Sequence, residues 1–98
     1  MSPAPRRWIL QGHDETYDRW ADLDQPAEHW QDVVLDWFIA LATNPYPARA
    51  IRRLELGADW WFAEVAGNDN HAITCLYRVD EDHNEVQIIA LATLRRPI

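Results

Sequence analysis

Trp60-Trp-Phe-Ala-Glu-Val-Ala66, Ala72-Ile-Thr-Cys-Leu-Tyr-Arg-Val79 and Val86-Gln-Ile-Ile-Ala-Leu-Ala92 are three β-prone runs that decide the fold of this chain. Each is rich in aromatic and β-branched residues, which suit a pleated, half-buried surface. Between them lie Gly67-Asn-Asp-Asn70 and Asp80-Glu-Asp-His-Asn84, whose residues favour turns. Short turns at near-even spacing predict an antiparallel meander.

Upstream of the meander the period changes. Trp30, Val33, Val34, Trp37, Phe38 and Leu41 recur with helical spacing, and Glu28, Asp32 and Asp36 fall on the opposite side. Pro26 fits the first position of this helix, and Asn44-Pro-Tyr-Pro47 ends it. A shorter helix with Tyr17, Trp20 and Ala21 on its apolar side precedes it, with Asp14 as the expected N-cap. Arg7-Trp-Ile-Leu-Gln11 reads as a short first strand, and residues 1–6 as a flexible tail. Ala48 to Leu56 fits a helical turn or a strand, because Leu54-Glu-Leu56 alternates. The expected architecture is a single α+β domain over residues 1–98: an N-terminal helical pair on one face of a three- to four-stranded twisted antiparallel sheet.

Composition restricts the function. The chain has 98 residues, a formal net charge of −7 and no lysine; all nine cationic side chains are arginine. Such acidity opposes non-specific nucleic-acid binding, which needs a positive field. No apolar run is long enough to span a bilayer, and Met1-Ser-Pro-Ala-Pro-Arg-Arg7 lacks the apolar core of a secretory signal, so a cytoplasmic location is expected. One cysteine, Cys75, rules out an intramolecular disulfide and reads as a buried structural thiol in mid-strand. His13, His29, His71 and His83 have no ligand spacing, and the three glycines form no phosphate loop. Asp80-Glu-Asp82 lacks the ligand spacing of a calcium loop. No metal or cofactor is expected.

Charge is unevenly distributed. Eight carboxylates against Arg19 lie between Asp14 and Asp36, forming either a solvated helix face or a docking surface for a basic partner. The arginines gather elsewhere: Arg49, Arg52 and Arg53 before the first meander strand, Arg78 in the second, Arg95 and Arg96 after the third. An antiparallel sheet covered on one side leaves its other face open, and Arg78, Glu64 and Gln87 fall there if register permits. Arg suits phosphate, and it equally suits cross-strand pairing with Glu55, Glu64 or Glu85. Six tryptophans exceed what so small a core buries completely, and Trp is enriched at interfaces.

From about Trp30 to Arg96 these features resemble the RelE/ParE toxin superfamily of bacterial type II toxin–antitoxin pairs. The matching order is an amphipathic helix ending near Asn44-Pro45, then Arg53-Leu54 before Gly57, the strand Trp60–Val65, Leu76-Tyr-Arg-Val-Asp80, and a close through Arg95-Arg96-Pro97. The resemblance implies a twisted antiparallel sheet packed on a helical pair. It implies a cognate antitoxin and one of two activities: metal-independent, ribosome-dependent mRNA cleavage by cationic side chains, or the binding and poisoning of gyrase. Carried onto this chain, the cationic set is Arg78, Arg95 and Arg96, with Arg49, Arg52, Arg53, Trp60 and Trp61 as the partner-binding set. Thr74 or Cys75 stands where the cleaving branch has an arginine, which favours binding over catalysis. The expected function is that of a toxin-like protein that binds gyrase or the translation machinery and is neutralised by an antitoxin. The alternative is a non-enzymatic interaction module on a RelE-like scaffold, self-associating as a homodimer or docking another protein.

Overall fold

The computed structural model describes residues 7–96 and is organised around the central strand of one sheet. In chain order the elements are β1 (Ile9–Gln11), α1 (His13–Asp24), α2 (Glu28–Thr43), β2 (Ala50–Arg52), β3 (Trp60–Gly67), β4 (His71–Asp80) and β5 (Glu85–Arg95). The strands form one five-stranded sheet in the order β1-β5-β4-β3-β2. The meander β3-β4-β5 is antiparallel throughout, as is the β2–β3 pair. β1 lies parallel to β5, with Leu10 opposite Val86. The sheet is therefore mixed and one strand wider than expected, because a three-residue strand at each edge completes it.

Alternation along β4 divides the two faces. Ile73, Cys75, Tyr77 and Val79 are buried towards the helices, where they meet Trp20 of α1 and Val34, Phe38 and Leu41 of α2. Val86 and Ile88 of β5 and Ala63 of β3 complete this core. Tyr77 is fully buried, and its hydroxyl donates to the carbonyl of Pro45 at 2.8 Å. Trp20 reaches across the same layer and donates from Nε1 to Thr93 Oγ1 at 2.9 Å. A buried Trp or Tyr body removes roughly 150–250 Å² from water, worth on the order of 4–6 kcal/mol before conformational costs. These two residues therefore pin both helices to the sheet, and each has a partner for its polar tip.

Several local expectations change. The first helix begins at His13, capped by Gly12 at φ 74° rather than by Asp14, which sits inside the first turn. A Cβ on Gly12 would stand 2.9 Å from the Ile88 carbonyl oxygen, so the close packing of this corner on β5 selects glycine. The second helix begins at Glu28, with Ala27 as N-cap, so Pro26 is not its first residue. The cause is the connection: Gln25 turns left-handed to end α1, and the Pro26 carbonyl accepts from Gln31 Nε2 at 3.0 Å. The strand before the meander is Ala50–Arg52, and Leu54-Glu-Leu56 forms a turn closed by Leu56 N–H to Arg53 C=O at 2.9 Å. The expected tail, residues 1–6, lies outside the described residues.

Two register shifts bend the sheet. One lies between Glu64 and Ala66 of β3, the other opposite Leu76 and Tyr77, where β5 holds an extra residue at Ile89. Bulges of this kind increase local twist.

Candidate interaction face

The open face is set by the side chains that alternate away from the core. Trp60, Arg78 and Gln87 form one cross-strand row, and Phe62, Leu76 and Ala90 the next. Glu64, Thr74 and Ala92 form a third row. Arg78, Glu64 and Gln87 thus share a face, as the alternation predicts.

The middle of the face is apolar. Phe62, Leu76, Leu56 and Leu94 border a concavity of about 350 Å³, floored by the small residues Ala90 and Ala92. Leu56 and Leu94 are 51% and 50% exposed, so the trough has an unprotected apolar rim. Small residues on β5 facing larger ones on β3 are what make it concave rather than flat. Arg53 covers one side, with its guanidinium carbon 5.7 Å from the Phe62 ring. Its Nε also bonds Glu55 in an exposed ion pair.

Both ends of the trough are charged, and both are internally matched. At one end Arg78 Nη2 lies 2.8 Å from Asp59 Oδ2, and its guanidinium carbon is 5.4 Å from the Trp60 ring centroid. The hydrogen bond from Arg78, with help from a backbone donor, holds the Asp59 carboxyl below the usual aspartate range. At the other end Glu64 accepts from Arg96 and lies 3.7 Å from Arg49. Arg96 also donates from Nε to the Asn68 carbonyl at 2.7 Å.

The candidate cationic trio is therefore split. Arg95 pairs with His71 at one end of β4, while Arg78 lies seven residues along that strand. At ~3.3 Å per residue the separation is about 23 Å. Arg95 lies at the end of β5 rather than beyond it, and Arg96 follows directly. These side chains do not converge on one phosphate. The five candidate contact residues also divide. Trp60, Arg53 and Arg49 belong to the open face, whereas Arg52 stacks on Trp61 at 5.0 Å on the helix side, beside Tyr46. Trp60 and Trp61 occupy opposite faces because adjacent strand residues must.

None of the three tyrosines lies in the trough: Tyr17 packs on Trp20, Tyr46 on Trp61, and Tyr77 is in the core. Burial pushes the Tyr77 hydroxyl and the Cys75 thiol up, so neither is an acid–base group near neutrality. The described residues contain no group of three or more His, Cys, Asp or Glu able to hold a metal. Of the six tryptophans only Trp20 is buried; the other five are half-buried. No motif in the sequence marks the trough, although Leu94 and the small Ala90 and Ala92 signal it once β5 is placed beside β4.

Two helices on one side of this five-stranded mixed sheet give the chain the α+β fold of the RelE toxins. It is similar to a free-state structure of a double-arginine mutant of Escherichia coli toxin RelE, with a TM-score of 0.61, 11% identity, and coverage of 88% of this chain and 82% of that one. It is similar also to the structure of the RelBE2 toxin–antitoxin complex of Mycobacterium tuberculosis, with a TM-score of 0.59, 20% identity, and coverage of 96% of this chain and 98% of that one. Neither a family model nor a curated protein matches the sequence. No helix among the described residues is long and apolar enough to cross a membrane.

Proposed function

We propose that this chain is a toxin-like protein of a type II toxin–antitoxin system that acts by binding its target through the open sheet face. One observation carries the reading: the face offers an accessible apolar trough, while the arginines at its ends are already matched to Asp59 and Glu64. Cleavage of RNA needs positive charge gathered where negative charge develops on the scissile phosphate. Arg78 and Arg96 stand at opposite ends of the face, and no tyrosine adjoins it. Binding needs only complementary apolar area and a polar rim. A gyrase-type target fits this better than mRNA. The Mycobacterium tuberculosis neighbour is a toxin–antitoxin complex, which supports an antitoxin as partner here too.

The test is induction in a bacterial host without antitoxin. Wild-type protein is expected to slow growth, and a Leu56→Asp/Leu94→Asp double variant at the same soluble level to restore it. Both residues are half exposed, so the substitutions leave the core intact. Normal growth with soluble wild-type protein overturns the toxin reading and leaves the interaction module on a RelE-like scaffold.

A further inference from the structure

The helical layer carries a second feature, on the side of the molecule away from the trough. Leu35, Ile39 and Ala42 recur at i, i+4 and i+7 on α2. They border a groove of about 570 Å³ whose opposite wall is formed by Leu10 and the start of α1. Leu35 is 44% and Ile39 69% exposed, and no element among the described residues covers them. Two large aliphatic side chains one turn apart, both open to solvent, cost solubility unless a partner uses them.

The rim states the partner's charge. Asp32 and Asp36 lie beside the apolar row on α2, and Asp14 lines the facing wall with Asp18 one turn further along α1. Asp18, Asp32 and Asp36 make no ion pair among the described residues, and Asp14 meets only His13, at 3.5 Å. The C-terminal turn of α2, which lines the groove through Ala42 and Thr43, has no basic residue, so its negative dipole end adds to the field. Arg7 and His13 at the groove's edge are its only cationic or titratable nitrogen groups among the lining residues.

We infer that the groove between α1 and α2 is a docking site for a basic amphipathic helix of another protein. Such a helix would lay two or three apolar side chains against Leu35, Ile39 and Ala42. Its Lys or Arg side chains would then reach the carboxylates on either side. This surface is distinct from the trough and does not depend on the toxin reading.

The probe is a synthetic, fluorescein-labelled Leu/Lys amphipathic helix, with a Leu/Glu version of the same apolar pattern as control. Binding to the full-length chain is followed by anisotropy, and the site is mapped by amide shift changes. The Leu/Lys peptide is expected to bind, to weaken as salt rises, and to shift amides of α1 and α2. Its affinity should fall about tenfold for Leu35→Ser/Ile39→Ser, as for an interface anchor pair. It should also fall for Asp32→Asn/Asp36→Asn, which keeps the apolar row, and stay unchanged for Leu94→Asp. Equal affinity for Leu35→Ser/Ile39→Ser overturns the proposal, because simple charge attraction then suffices. So do equal binding of both peptides, shift changes outside the two helices, and self-association of the chain through Ile39 in light scattering.

Discussion

Arg78 spans from the central strand to Asp59, with its Nη2 2.8 Å from Oδ2, and lies over the ring of Trp60 next to that aspartate. Its Nε is buried with no hydrogen-bond partner among the described residues, while the rest of the guanidinium meets Asp59 and the indole face. This arrangement lowers the Asp59 pKa, chiefly through the Arg78 hydrogen bond. A depressed carboxylate stabilises the fold above its unfolded pKa and loses that contribution as pH falls through the folded one. Arg78→Ala should therefore flatten the acid limb of stability against pH and raise the Asp59 midpoint in a carboxyl NMR titration. An unchanged midpoint would show that the pair is not formed in solution.

Tyr77→Phe tests the tie between the sheet and the end of α2. The variant keeps the ring against Trp37, whose centroid is 6.0 Å away, and removes only the donor to Pro45. Leaving that buried carbonyl unsatisfied should cost about 1–2 kcal/mol. Urea unfolding should show a lower midpoint with an unchanged slope. A neutral effect would mean that water takes over the carbonyl.

The turn after β4 carries a pH-dependent pair. His83 Nδ1 lies 2.8 Å from Asp80 Oδ2, which raises the His83 pKa and lowers that of Asp80. The histidine's contribution is complete below its unfolded pKa and is lost as pH rises through the folded one. The aspartate's is complete above its unfolded pKa and is lost as pH falls through its folded one. The pair is thus intact between the lowered Asp80 and raised His83 values. A proton NMR titration should place His83 above ordinary histidine, and Asp80→Asn should bring it down.

Cys75 is fully buried, and burial pushes its thiol up. It should resist thiol reagents at neutral pH in the native protein and react completely in denaturant. Rapid native labelling would indicate frequent opening of the β3–β4–β5 layer.

Much of this molecule is legible in its sequence because alternation and helical spacing act over short range. Trp60–Ala66, Ala72–Val79 and Val86–Ala92 all lie within observed strands, and Val34, Phe38 and Leu41 pack as the α2 period requires. Of the two edge strands, β1 is legible within Arg7–Gln11, and β2 is harder to read. Ala50–Arg52 has only three residues, and its exposed Ile51 alternates no better than Leu54 and Leu56 beside it. Glu64 was recognisable as a cross-strand partner for arginine, but Asp59 was not, because it lies in the turn before β3. Whether Arg78, Arg95 and Arg96 meet depends on hairpin register. The β4–β5 pairing sets Arg78 opposite Gln87 and Arg95 opposite His71, which holds Arg78 far from Arg95 and the Arg96 that follows it.

The most direct test of binding without cleavage is mRNA integrity in cells at the onset of growth arrest after induction. Mapping of transcript 5′ ends should show the same ends before and after induction while growth slows, and Leu56→Asp/Leu94→Asp should relieve the arrest. New ends within coding regions that disappear in Arg78→Ala or Arg96→Ala cells would contradict the account and make the split arginines a nuclease site.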